Sequence, residues 1–249
     1  MKQRAQPVRR VWFALCLYIL IATPAWSCRQ ALLFALDVSG SVNGVEYQQQ
    51  VLGLGSALSD PTVRQLILTD LHQPVTIAVF EWSSQNHQFV VIPWIRLDSA
   101  AALDEAIARI ESHRKIRAGL KTAMGTALAF GQSMLRAQDH CWQHTIDVSG
   151  DGKNNSGPTP FDVYQTGFDR TTVNALVVGN PRNASGEGRG ITPADLRDYY
   201  EANVIHGPNA FAMVADGYAD YARAMTLKIA RELQPMVLGA KDGAPDDAG

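Results

Sequence analysis

A chain of 249 residues, 46% apolar and 18% charged, carries enough apolar material for one packed domain and too little charge for a disordered protein. A formal net charge of −2 gives no electrostatic ground for binding nucleic acid or anionic lipid. The six histidines show no ligand spacing, which argues against a zinc site.

Residues 1–27 read as a secretory signal peptide. Lys2, Arg4, Arg9 and Arg10 form a basic start, and residues 11–22 form an apolar stretch too short for a comfortable membrane span. Ala25 and Ser27 place small residues at the minus-three and minus-one positions of a cleavage site before Cys28. Loss of this leader would leave 18 Lys and Arg against 24 Asp and Glu, a net charge of −6, in an exported chain, periplasmic or secreted. Cys16 leaves with it, so Cys28 and Cys141 remain. Two fates are open to Cys28. A disulfide to Cys141 forms if the strands that follow the two cysteines are parallel neighbours. The other is lipidation of Cys28 as the first residue of a lipoprotein.

The first element is the apolar run at residues 31–36, read as a strand buried on both faces of a parallel sheet. Residues 45–58 are helical in character and stop at Asp60-Pro61. Residues 75–82 and 88–95 read as two strands of a hairpin around a turn at 83–86. Residues 100–110 put Leu103, Ile107 and Ile110 on one helical face, and residues 125–138 are helical again. A fourth strand at 145–149 runs into a loop at 150–155. A helix at 161–168 and a buried strand at 172–178 follow.

Residues 180–190, with proline, asparagine and glycines, read as a surface loop. Thr192-Pro193 opens a capped helix. A short strand at 211–214 and a closing helix at 218–233 complete the pattern. Strands alternating with helices predict an α/β class: a doubly wound, mostly parallel sheet with one antiparallel edge hairpin and helices on both faces. The expected organisation is one domain over 28–238 and a flexible tail over 239–249.

The segment Asp37-Val38-Ser39-Gly40-Ser41 leaves the C-terminal end of the first strand, the edge where open α/β sheets bind ligands. Thr122 and Asp151 sit on two further loops predicted to reach the same edge. Oxygen-only side chains there suit a hard divalent cation, Mg²⁺ or else Mn²⁺ or Ca²⁺. Asp147 reads as a hydrogen-bonded structural carboxylate or an additional ligand. Glu81 reads as an exposed edge carboxylate or a group supporting the site. Asn154 and Asn155 read as turn residues or partner contacts, and Trp82 and Trp94 as packing residues.

Asp37-x-Ser39-x-Ser41, Thr122 followed by Ala-Met-Gly-Thr-Ala-Leu, and Asp151 in Ser149-Gly150-Asp151-Gly152 resemble the metal-ion-dependent adhesion site of von Willebrand factor type A domains. The run 147–155, Glu81-Trp82 and Tyr199-Tyr200 are similar to an exported proteobacterial subgroup of that superfamily with no assigned activity. The resemblance spans about residues 28–233. It implies Asp37, Ser39, Ser41, Thr122 and Asp151 as metal-site residues, with Thr126 the alternative to Thr122. The hydroxyl that usually precedes the last Asp of the motif is replaced here by Gly150.

The expected function is therefore a non-enzymatic, metal-dependent module that captures an Asp or Glu carboxylate of a protein partner. The alternatives are a metal-dependent hydrolase of phosphate esters and a metal-free scaffold. No Ser-His-Asp or Cys-His pair is placed for nucleophilic catalysis.

Overall fold

Six strands, β1 (Cys28–Asp37), β2 (Val75–Trp82), β3 (Gln88–Arg96), β4 (Cys141–Gly150), β5 (Thr171–Val178) and β6 (Ala212–Ala215), form one sheet in the order β3-β2-β1-β4-β5-β6. All neighbours are parallel except the β2–β3 edge hairpin. The computed structural model describes residues 27–115, 118–179 and 192–234. The expected leader up to residue 26, the loop at 180–190 and the tail at 239–249 lie outside the described residues.

The doubly wound reading holds because the central strands are apolar on both sides. Leu32, Phe34 and Leu36 of β1 face one core, and Ala31, Leu33 and Ala35 face the other. The first core lies under α1 (Gly44–Ser59), α2 (Pro61–Leu68), α3 (Ala100–Ser112) and α7 (Tyr221–Glu232). The second lies under α4 (Met124–Leu135), α5 (Pro160–Tyr164) and α6 (Pro193–Asn203).

Sequence signals explain the helix ends. Asn43 caps α1 and shares a capping box with Glu46. Thr192 does the same for α6 with Asp195, and Pro193 occupies the first turn. Helix α1 packs closely on α7: a Cβ at Gly53 would come within 2.8 Å of the Tyr221 ring.

Two local readings change. Asp60-Pro61 ends α1 but also opens α2, because the Asp60 carboxylate accepts from Thr62 N and Val63 N while proline fits the first helical turn. Helix α5 stops at Tyr164 rather than continuing to 168, and Gly167 adopts a φ of 111° that ends any continuation.

The sheet register puts Cys28 directly opposite Cys141 on the neighbouring strand, and the two are joined in a disulfide. That settles the first of the two fates of Cys28. Lipidation is excluded while the bond stands, since the sulfur has one valence to give.

Candidate functional site

Three loops meet at the C-terminal edge of the sheet, where β1 and β4 end side by side. Asp37 closes β1, and its Oδ1 accepts from Ser39 N at 2.7 Å, folding the chain into a tight turn. Ser39 Oγ lies 3.1 Å from Ser41 Oγ, and Ser41 Oγ donates to Asp151 Oδ1 at 2.5 Å. The Thr122 loop is held in turn by Asn155, whose Oδ1 accepts from Thr122 N and whose N donates to Thr122 O, both at 2.9 Å. Asn154 Oδ1 accepts from Gly125 N at 3.4 Å, so this asparagine also ties the third loop to the second.

The five residues are not equivalent. Asp37 and Ser39 are fully buried, whereas Ser41, Thr122 and Asp151 line a recess of about 350 Å³ with Leu120, Gly152 and Lys153. Thr126, the alternative to Thr122, does not line it; its Oγ1 sits beside Gly157. Leu120, which lines the recess, is 80% exposed and leaves a large apolar side chain uncovered beside its polar groups.

Burial raises the pKa of Asp37, and the neighbouring Asp151 carboxylate raises it further, against the hydrogen bonds from Ser39. Asp37 Oδ2 is buried and has no hydrogen-bond partner among the described residues.

Tyr200 is the residue that motif reasoning left without a role. Its ring is fully buried, and its Oη donates to Gly152 O at 3.2 Å. A Cβ at position 150 would lie 2.7 Å from Tyr200 Oη and 3.0 Å from Asp37 Oδ2. The missing hydroxyl before Asp151 is thus explained: the phenol occupies that space, and only glycine leaves room for it. Tyr199 supports the same loop, accepting from Asn154 N at 3.2 Å, with Lys153 over its ring.

The expected metal cofactor requires a correction. Among the described residues, one group of three His, Cys, Asp or Glu donors has its ligating atoms close enough to share an ion: Cys28, His140 and Cys141. That group lies at the opposite end of the sheet, and its two sulfurs are consumed by the disulfide. At the loop edge, no third donor of those types joins Asp37 and Asp151. The Ser41 hydroxyl is itself spent on Asp151. With the Cys28 and Cys141 sulfurs tied up in the disulfide, the Mg²⁺, Mn²⁺ or Ca²⁺ reading is overturned, and metal-dependent capture of an acidic side chain falls with it.

The neighbours also resolve. Glu81 is fully buried, not exposed at an edge: it accepts from Tyr47 Oη, and His113 Nε2 lies 3.2 Å away. Burial lifts its pKa to about 7. Asp147 is a structural carboxylate, 2.7 Å from Lys228 Nζ, which also reaches Glu232 at 2.6 Å. Trp82 is buried, and Trp94 Nε1 donates to Met134 O, as packing residues would.

A mostly parallel sheet with helices on both faces, one antiparallel edge hairpin and loops gathered at one edge defines a von Willebrand factor A-like, Rossmann-like α/β protein. The chain belongs to the family described as "Protein of unknown function (DUF1194)", whose model matches residues 27–237. No curated protein sequence matches it.

Among solved structures, it is similar to proximal thread matrix protein 1 from the mussel byssus, at 16% identity and a TM-score of 0.57. That match covers 82% of this chain and 48% of the other. The pilus adhesin SpaC from Lactobacillus rhamnosus GG matches at 12% identity and a TM-score of 0.55, over 83% of this chain and 30% of that one. The PilB minor pilin from Streptococcus sanguinis matches at 14% identity and a TM-score of 0.55, over 84% and 63%. The chain thus spans about half the length of the byssus protein and less than a third of SpaC. These likenesses concern the fold.

Proposed function

We propose that this chain is an exported, non-enzymatic protein-binding module that works without a bound metal. In this reading residues 1–27 are a leader, 28–238 the binding domain and 239–249 a tail. The carrying observation is the Ser39–Ser41–Asp151 hydrogen-bond chain beside an open recess lined by the exposed Leu120. An organised polar floor with an uncovered apolar side chain at its edge suits a protein partner, whose apolar contacts would surround a few hydrogen bonds. Support for a protein partner also comes from the company the fold keeps: a byssus matrix protein, a pilus adhesin and a minor pilin.

The chemistry of the partner follows from the charge at the edge. Without a cation, the Asp151 carboxylate lining the recess repels an incoming acid, so the partner presents a donor instead, a lysine, an arginine or an amide. Ser41, Thr122 and Asp151 are the groups within its reach, while Asp37 and Ser39 hold the turn from beneath.

The test is capture of a partner from envelope extract in EDTA and in Mg²⁺, with wild type, Asp151→Asn and Leu120→Glu. Equal capture in both buffers, weakened in both variants, supports the reading. Capture that disappears in EDTA, or that ignores both substitutions, contradicts it.

A further inference from the structure

We infer that Lys228 and Asp147 condense into a side-chain amide, a covalent tie between α7 and the middle of β4. Both side chains are completely buried, and Lys228 Nζ lies 2.7 Å from Asp147 Oδ2. The contact is close without the geometry of a hydrogen bond. Neither carboxylate oxygen of Asp147 has a hydrogen-bond partner among the described residues. A pair kept for its charges alone gains most when donor and oxygen are aligned. Here the amine is instead pressed against the carboxyl group, the proximity that bond formation requires.

Glu232 completes the arrangement. Lys228 Nζ donates to its Oε1 at 2.6 Å, and Asn174 Nδ2 donates to the same oxygen at 2.8 Å. Asn174 is pinned in turn by Phe211 N, which donates to its Oδ1 at 3.1 Å. The Glu232 side chain is 1% exposed, and its Oε2 is buried with no hydrogen-bond partner among the described residues. A fixed base therefore touches the nucleophile and has an oxygen left over to carry a proton.

The electrophile is prepared by its surroundings. Burial raises the pKa of Asp147, and the Glu232 carboxylate raises it further, against the nearby Lys228. One proton passing from the ammonium to Asp147 leaves a neutral amine beside a neutral acid. Nζ then attacks Cγ of Asp147. Glu232 takes the proton that Nζ sheds and returns it to the departing hydroxyl. A C–N bond forms, a C–O bond breaks and one water leaves, so no oxidant or second reactant is consumed.

Paired groups held in place reach effective molarities of about 10⁵–10⁸ M, and a site closed to bulk water favours condensation over hydrolysis. The amide would give β4 two covalent ties, to β1 through Cys141 and to α7 through Asp147. The closing helix could then not peel away from the sheet.

The experiment is a tryptic peptide map of the full chain. It is unfolded and reduced first, because no lysine or arginine separates Cys141 from Asp147. Expected is a branched peptide joining the Asp147 and Lys228 segments, lighter than their sum by one water and uncut after Lys228. In Glu232→Gln, which cannot relay the proton, that peptide is expected to be lost from a protein that still melts cooperatively. The wild-type map needs no variant and decides the bond by itself. Linear peptides cut after Lys228 in wild type overturn the proposal. So does a branch to Asn174, the neighbour of Asp147 on β5, formed with loss of ammonia. An undiminished branch in Glu232→Gln overturns the relay.

Discussion

Ser41 and Asp151 lie 110 residues apart in sequence and are joined by a 2.5 Å hydrogen bond from the serine hydroxyl to the carboxylate. That bond fastens the loop after β1 to the loop after β4 and shapes the recess proposed to meet a partner. Ser41→Ala leaves the carboxylate without that donor in a partly buried place. A loss of about 1–2 kcal/mol is expected from urea unfolding, with a far-UV spectrum like that of wild type. An unchanged unfolding midpoint would show that the bond holds nothing.

The disulfide closes a loop of 113 residues between directly opposed strand positions. Its removal in Cys28→Ser with Cys141→Ser is expected to cost about 2–5 kcal/mol, chiefly by freeing the unfolded chain. Non-reducing peptide mapping checks the premise: a Cys28–Cys141 linked peptide is expected, and a lipid-modified Cys28 contradicts it.

Glu81 sets a pH dependence. Its folded pKa of about 7 is raised by burial from 4.5, so the folded state binds the proton more tightly than the unfolded one. The sign follows: this contribution is fully present below about pH 4, fades as pH rises through 7, and is absent above it. Glu81→Gln keeps an acceptor for Tyr47 and cannot ionise. The variant is expected to match wild type near pH 4 and to exceed it by up to about 3 kcal/mol near pH 8. Melting curves across that range check it, and parallel profiles for the two proteins would contradict it.

Lys228 is fully buried between Asp147 and Glu232. Lys228→Met strands two buried acids and is expected to cost about 3–5 kcal/mol. Adding Asp147→Asn should recover part of that loss, because one of the stranded charges is gone. A double variant no more stable than the single one would place the cost in packing instead.

How far the sequence carried this picture depends on the distance over which its signals act. The strand at 75–82 and the cap at Thr192 were legible because periodicity and capping are local. Asp37, Ser39 and Ser41 were placed at the loop edge by the buried run before them, since a central parallel strand has one loop-bearing C-terminal end. Helix α2 was missed because Asp60-Pro61 signals a stop and a start with the same two residues.

The Lys228 partner of Asp147, 81 positions later, and the Tyr200 phenol beside Gly150 depend on packing that no window of sequence contains. The metal expectation failed for a related reason. A motif lists oxygen atoms, but only their folded arrangement shows Ser41 turned to Asp151 and no third strong donor arriving.

Metal titration tests the central claim most directly. Calorimetry with Mg²⁺ and Mn²⁺, paired with melting curves in each ion and in EDTA, should show no saturable heat and no shift in melting temperature for wild type or for Asp37→Ala. Saturable heat together with a raised melting temperature in wild type, both lost in Asp37→Ala, would contradict a metal-free binding edge.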